Sequence, residues 1–139
     1  MASKTKNILL FLLVLFNAGI FLLYGTAKLI GLQFVHVDPP PELLLKDVKP
    51  SYIMWYFFSL KTGYSLLVAL SELVPAILIL FKKTRFIGAL LYLITVTNVL
   101  AINIFFVITP WTLSLSAVLF INTVIIICSE RQKIKTLLS

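Results

Sequence analysis

The sequence predicts an all-α, polytopic membrane protein whose four transmembrane helices form a bundle. Of its 139 residues, 60% are hydrophobic, and the mean hydropathy is +1.07, whereas soluble domains are about 45–50% apolar. The apolar residues also form long runs between polar or basic segments, and the length allows about four spans of ~20 residues. We therefore expect a single membrane domain over residues 1–139.

The first span is predicted over residues 8–30. Lysines followed by an apolar run resemble the start of a signal peptide, but this run is longer than a typical signal-peptide core. No small-x-small cleavage pattern follows it. We therefore expect an uncleaved transmembrane helix.

The second span is predicted over residues 60–81. The apolar stretch of residues 51–81 is too long for one perpendicular span, and its first part, residues 52–58, is rich in aromatic residues that favour the headgroup region. We therefore expect an interfacial segment that leads into the span. A kink is expected at Pro75, because proline removes one backbone hydrogen bond.

The last two spans are predicted over residues 86–108 and 111–128, joined by a tight outer turn at residues 109–111. Residues 31–51 are predicted to form an outer loop, since three consecutive prolines exclude a helix there. Residues 129–139 are predicted to be a cytoplasmic tail. Short connections require the last three spans to pack as antiparallel neighbours.

The positions of the cations predict the orientation in the membrane. Eight of the twelve lysines and arginines lie in three places: before the first span, in the connection between the second and third spans, and in the tail. They are Lys4, Lys6, Lys82, Lys83, Arg85, Arg131, Lys133 and Lys135. By the positive-inside rule, both termini are expected in the cytoplasm, with the protein in the inner (plasma) membrane. Anionic lipids of the inner leaflet are the expected partner, and the absence of a basic-aromatic stripe argues against nucleic acid.

Thiol and metal chemistry have little support in the sequence. Cys128 is the only cysteine, so it forms no internal disulfide or paired dithiol. We expect it to be a small buried apolar residue, with palmitoylation as the alternative. His36 is expected to be a loop residue, because no second histidine and no cysteine cluster accompanies it. No metal site and no catalytic residue are predicted.

Glu72 is the strongest candidate functional residue, because it lies deep within a predicted span. A carboxylate at that depth costs a few kcal/mol or more. Counted from the basic flanks at about 1.5 Å per residue, Glu72 and Asn17 both lie roughly 15 Å deep, Asn98 roughly 20 Å and Asn122 roughly 10 Å. Polar groups at this depth usually face the bundle interior, so the count predicts one polar layer to which all four spans contribute.

A second polar layer is predicted near the outer edge. Lys28 and Lys61 both lie at roughly 31 Å by the same count, with Tyr24 and Tyr64 one turn further in. Lys61 is separated from Glu72 by a spacing that belongs to one helical face. The two layers together predict an outward-facing polar cleft that ends at Glu72.

Each of these residues also has a purely structural interpretation. Asparagines in membrane helices often serve only as interhelical hydrogen bonds, worth about 0.6–2 kcal/mol each. The two lysines are also the type of residue that extends to the outer headgroups. Glu72 itself could be a protonated, hydrogen-bonded structural group.

Residues 24–29, Tyr-Gly-Thr-Ala-Lys-Leu, resemble the G-x-x-K-[LF] signature of the DoxX-like family. The part that follows is similar to the next two helices of that family, in which a small residue, a glutamate, an apolar run, a basic turn and an asparagine occur in that order. In this chain these are Gly63, Glu72, residues 76–81, residues 82–85 and Asn98.

The resemblance implies a four-helix membrane bundle, mostly bacterial, with Lys28 and Glu72 as the positions to carry over. The roles that it implies are those of subunits of thiosulfate:quinone oxidoreductase and of accessory proteins of redox or stress systems, while distant relatives act as receptor-assembly chaperones and most members have no assigned activity. This chain departs from the family pattern, since it lacks an arginine early in the first span and has a long proline-rich outer loop.

Three functions follow as hypotheses. The first is a non-enzymatic accessory or scaffold protein that binds a lipid, a quinone or a partner membrane protein in the cleft, since the sequence has no complete catalytic set. The second is a quinone-linked subunit of an oxidoreductase, with a quinone as cofactor and electrons supplied by a partner. The third is a small proton-coupled carrier centred on Glu72, which would need to form a homo-oligomer.

Overall fold

The computed structural model describes residues 2–33, 47–106 and 108–130, and these residues form five helices and no strand. The helices are α1 (Ala2–Leu29), α2 (Pro50–Ser59), α3 (Thr62–Leu80), α4 (Arg85–Phe105) and α5 (Pro110–Ser129). All except α2 are long and apolar enough to cross a membrane. The prediction of an all-α, four-helix membrane bundle is thus confirmed, and the protein is a multi-pass membrane protein.

The long apolar stretch of residues 51–81 is divided between α2 and α3. Lys61 adopts an extended conformation (φ −140°, ψ 118°) between the two helices, which separates the aromatic segment from the span. The rings of Phe57 and Phe58 in α2 lie 5.3 Å and 5.6 Å from that of Tyr64 in α3. This aromatic cluster joins the short helix to the start of the span.

The tight turn predicted at residues 109–111 is instead the beginning of α5. The Thr109 side chain accepts a hydrogen bond from the backbone N–H of Thr112 (3.1 Å), and Pro110 occupies the first position of the helix. A threonine cap followed by proline is a favourable helix start, because proline lacks the N–H that would be left unpaired. The proline therefore starts the helix here.

Two other predicted features fall outside the described residues. The first is most of the predicted outer loop, residues 34–46, which includes His36. The second is residues 131–139 of the predicted tail. Cys128 is described, and it is exposed on the outside of α5, so the prediction of a buried cysteine is wrong.

The four long helices form a closed ring in the order α1, α3, α4, α5, with α5 returning to α1. The largest fully buried side chains include Val14, Ile79, Tyr92 and Ile126, one from each of the four. Core residues are few compared with the exposed apolar residues around the outside of the bundle, as expected where lipid replaces water.

Gly88 brings α4 against the end of α3. A Cβ atom at this position would lie 2.6 Å from the backbone nitrogen of Ile79 and 2.8 Å from the backbone carbon of Leu78. Backbone atoms cannot move aside as a flexible side chain can, so the hairpin of α3 and α4 requires glycine here.

Helix α3 continues through Pro75. Because proline has no N–H, the carbonyl of Ser71 loses its usual intrahelical partner four residues on. The hydroxyl of Thr95 in α4 donates to this carbonyl at 2.9 Å. The neighbouring helix thus satisfies the acceptor that the proline leaves open.

Candidate functional site

Lys28 and Glu72 form a buried ion pair between α1 and α3. The Lys28 Nζ atom donates to the Glu72 Oε2 atom at 2.6 Å. The residues are only 7% and 3% exposed, respectively. The charged groups are therefore paired inside the bundle rather than exposed to lipid.

The close approach of α1 to α3 makes this pair possible. Gly25 lies one turn before Lys28, and a Cβ atom there would lie 2.7 Å from Leu73 Cγ and 3.2 Å from the backbone oxygen of Ala69. Those two residues flank Glu72 on α3. The missing side chain at Gly25 thus sets the helix separation across which Lys28 reaches Glu72.

An aromatic ring lies beside the ion pair, and a stacked pair of rings lies further along α1. The Nζ atom of Lys28 lies 5.6 Å from the centroid of the Tyr24 ring, one turn earlier in α1, within the range of a cation–π contact. Phe21, a further turn inward, stacks on Tyr92 of α4 with ring centroids 3.8 Å apart. The ring of Tyr24 therefore borders the pair, and the stack of Phe21 on Tyr92 lies two turns from Lys28 along α1.

The predicted depth of Glu72 is corrected by this geometry. The sequence count assumed that the basic ends of all helices lie in one plane, which puts Glu72 level with Asn17. The contacts of Gly25 with Ala69 and Leu73 instead put Glu72 level with the last turns of α1. Helix α1 has 28 residues and α3 has 19, so their ends cannot all align.

Asn17 is the centre of a second, separate polar cluster. Its Nδ2 atom donates to the carbonyl of Leu119 at 3.2 Å and to the Thr123 hydroxyl at 3.0 Å. Its Oδ1 atom accepts from Asn122 Nδ2 at 3.2 Å, and its backbone carbonyl accepts from the Tyr92 hydroxyl at 2.8 Å. Asn17 is fully buried, and these bonds connect α1 with α5 and α4.

Three predicted site residues do not join either cluster. Lys61 is exposed and lies outside the helical part of α3, so the helical spacing that connected it to Glu72 does not apply. Tyr64 is 41% exposed and contacts the rings of α2. Asn98 is exposed on the outer surface of α4, so the prediction that all four spans contribute to one inward polar layer is wrong.

The prediction of the site missed several residues that the fold brings to it. Tyr92 belongs to the Asn17 cluster, because its hydroxyl donates to the Asn17 carbonyl, and its ring stacks on Phe21. The sequence did offer a sign that Tyr92 has a polar contact: it lies within an apolar run, and a buried tyrosine hydroxyl usually has a hydrogen-bond partner. For Gly25 the signal was its place in the G-x-x-K-[LF] signature, whereas Thr123 carried none, because threonine is common in membrane helices.

The end of the bundle away from the ion pair has a basic cavity of about 900 Å³. It is lined by one face of α1, by the connection between α3 and α4, and by the end of α5; its cations are Lys4, Lys82, Lys83 and Arg85. Arg85 donates to the carbonyl of Ile79 at 3.1 Å, and its Nη1 atom lies 3.6 Å from Glu130 Oε1. Arg85 therefore serves largely to hydrogen-bond backbone carbonyls at the end of α3.

The chemistry available at the ion pair is that of hydrogen bonding and proton transfer. An ammonium group and a carboxylate together offer a donor and an acceptor to a polar ligand. In the part of the chain that the structure describes, no three His, Cys, Asp or Glu side chains come together as a metal site requires.

The chain is similar to a known bacterial protein. It is named "Uncharacterized protein YwoB", from Bacillus subtilis (strain 168), and is 32% identical over 119 residues, which cover 86% of this chain and 75% of that protein. No family model matches the chain, and no solved structure matches it.

Proposed function

The chain belongs to the same family as YwoB of Bacillus subtilis, and on this premise we propose that it is a non-enzymatic accessory or scaffold protein of a bacterial plasma membrane. Its Lys28–Glu72 pair is the point at which it recognises a lipid, a quinone or a partner membrane protein. The single observation that carries the proposal is the burial of this pair between α1 and α3.

A buried ion pair is a poor device for stability alone. The cost of removing two charges from water often equals or exceeds their attraction, so that apolar residues of similar size stabilise a fold as well or better. Charges within membrane spans commonly mark functional sites for the same reason. A binding role explains why both members of the pair are present.

The DoxX-like resemblance supports the same residues. Gly25 and Lys28 are the glycine and lysine of its signature, and in this chain one sets the helix separation while the other forms the ion pair. Membership of that family remains a proposal, as do the accessory roles that it implies.

A quinone-linked subunit of an oxidoreductase is the second candidate, because the ring of Tyr24 borders the ion pair. Tyr24 would offer a flat surface to a quinone ring. Lys28 would donate a hydrogen bond to a quinone carbonyl, while Glu72 would handle a proton. The electrons would come from a partner protein.

Co-purification of the full-length protein in mild detergent tests the first proposal. We expect a stoichiometric partner or tightly bound lipid in the wild type, lost in both Lys28→Met and Glu72→Gln. Lys61→Met is the matched control, because this lysine is exposed and lies before the start of α3 rather than at the pair. Equal recovery from all four proteins, or a wild type that purifies alone and lipid-free, would contradict the proposal.

Quinone dependence separates the second candidate from the first. In membranes that contain the whole electron-transfer system, Glu72→Gln should reduce quinone-dependent turnover, whereas Lys61→Met should leave it unchanged. Unchanged turnover in Glu72→Gln would argue against the quinone role and leave the scaffold role intact.

We also propose that both termini lie in the cytoplasm. The basic cavity supports this orientation, because the cations of α1 and of the connection between α3 and α4 meet at one end of the bundle. Anionic lipid headgroups of the inner leaflet are the natural partner of that end.

A further inference from the structure

Asn98 is in an unusual position for a polar residue of a membrane helix. It lies about 20 Å along α4 from Arg85, well inside a hydrocarbon core of ~30 Å, and it is exposed on the outside of the bundle. No described residue hydrogen-bonds its side chain. The nearby hydroxyls of Thr95 and Thr97 are satisfied by carbonyls of their own helix or of α3.

An amide in this position needs a partner from outside the bundle. Lipid tails offer no hydrogen bond, and an unpaired amide in an apolar medium costs several kcal/mol. The structure therefore indicates that another polar group covers Asn98 in the membrane.

The surface around Asn98 has the pattern of a helix–helix seam. Alternate spacings of four and three residues place one line of side chains along a single face of α4: Ile87, Leu91, Ile94, Asn98, Ala101 and Phe105. Ile94 is 70% exposed and Phe105 is 75% exposed, so the bundle itself leaves this line largely uncovered. Such spacing is that of the a and d positions of a coiled coil, with Asn98 at an a position.

We propose that the outer face of α4 is a dimer interface, in which a second copy of the chain packs its own α4 against this one. The two Asn98 side chains hydrogen-bond each other across a two-fold axis. An amide carries both a donor and an acceptor, so two copies satisfy each other without any further group.

The membrane itself favours a second copy as the occupant. Two copies inserted with the same topology have parallel α4 helices, and Asn98 lies at the same depth in both. In a parallel pair, a positions face a positions, so the two amides meet. A different protein would need its own polar group at that depth, whereas a second copy supplies one by symmetry.

Oxidative cross-linking in lipid vesicles that contain only this protein tests the interface. Cys128→Ser gives a cysteine-free background, because the chain has a single cysteine. In that background we expect Ile94→Cys to cross-link several-fold more than Ile77→Cys. Ile77 is the matched control, since it is 47% exposed on α3 and lies on another face.

The role of Asn98 is tested by energy transfer between labelled copies as the vesicles are diluted with lipid. From the usual strength of hydrogen bonds between membrane helices, Asn98→Leu should weaken dimerisation about 3- to 15-fold. Asn98→Gln should retain more of the affinity, since it keeps the amide. The leucine variant should fold normally, because it adds an apolar side chain to a lipid-exposed position.

Three results would overturn the proposal: no dimer at high protein-to-lipid ratio, equal cross-linking at positions 94 and 77, or a dimer affinity that Asn98→Leu does not change. The interface involves α4 alone, whereas Lys28 and Glu72 lie on α1 and α3. Its failure would therefore leave the proposed function of the ion pair untouched.

Discussion

Lys28 and Glu72 illustrate how much the meaning of a charged residue depends on its partner. Each is a candidate site residue in the sequence, but they are 44 positions apart, and helical spacing associates Glu72 with Lys61 instead. In the folded protein Glu72 pairs with Lys28, because Gly25 allows α1 to approach α3, whereas Lys61 lies outside the helix.

Removal of one member of the pair should destabilise the protein more than removal of both. Lys28→Met or Glu72→Met alone leaves a buried charge unpaired, which costs about 3–5 kcal/mol for buried pairs. The double variant leaves no charge and should recover much of that loss. Unfolding in detergent measures the difference, with Lys61→Met as the control, and a double variant less stable than either single one would contradict this account.

The cluster around Asn17 should be structural and measurable. Asn17→Leu removes the side-chain bonds to Leu119, Thr123 and Asn122, which at about 0.6 kcal/mol each amount to roughly 2 kcal/mol of stability. Asn98→Leu is the matched control in monomeric detergent solution, because no described residue bonds that amide. Equal unfolding midpoints for the two variants would show that the cluster contributes nothing.

At the scale of the helices, close backbone contacts and unpaired carbonyls determine how α3 meets α4. Gly88 permits direct contact between the two backbones, and Thr95 satisfies the carbonyl that Pro75 leaves open. Neither relation follows from the sequence, because each depends on which residues of two helices face one another.

Gly88→Ala should force the α3–α4 hairpin apart. Its Cβ atom would overlap the backbone at Ile79, so we expect a loss of at least 1–3 kcal/mol, as is typical of overpacking. Gly19→Ala is the control, since nothing lies within 4 Å of its Cβ position. Alanine is also the better helix former by about 1 kcal/mol. Unfolding of the two variants should therefore shift in opposite directions, and similar shifts would contradict the contact.

A double-mutant cycle tests the bond from Thr95 to Ser71. Thr95→Val alone leaves the Ser71 carbonyl unpaired and should cost about 1 kcal/mol. In a Pro75→Ala background the alanine N–H can bond that carbonyl, so the same change should cost much less. Thr97→Val is the control, because its hydroxyl bonds only within α4; an equal cost of Thr95→Val in both backgrounds would exclude the link.

At the scale of the whole molecule, the four long helices bring the start of α1 and the end of α5 to the same end of the bundle. The basic cavity gathers Lys4 and Lys83 at that end, whereas Lys61 begins α3 at the opposite end. The proposed orientation can therefore be tested with single cysteines at these positions.

In the Cys128→Ser background, a membrane-impermeant maleimide should label Lys61→Cys from outside intact cells. Lys83→Cys should react only after the membrane is permeabilised, because positive loops are retained in the cytoplasm. The reverse pattern would show that the protein is inserted the other way, and labelling of both positions from outside would contradict four spans.

The sequence by itself determined the fold class, since long apolar runs and basic flanks require helices that cross a membrane. Predicted spans over residues 8–30, 60–81, 86–108 and 111–128 correspond to α1, α3, α4 and α5. Hydropathy indicates the length of a helix and its approximate depth, and both can be read from one continuous segment of the sequence.

Only the tertiary structure decided which polar residues meet. Helices of different length are displaced along their axes, so Glu72 lies beside Lys28 rather than beside Asn17. The rotation of α4 about its axis leaves Asn98 exposed on the outside of the bundle. Displacement and rotation arise from close contacts such as those at Gly25 and Gly88, which depend on residues far apart in the chain.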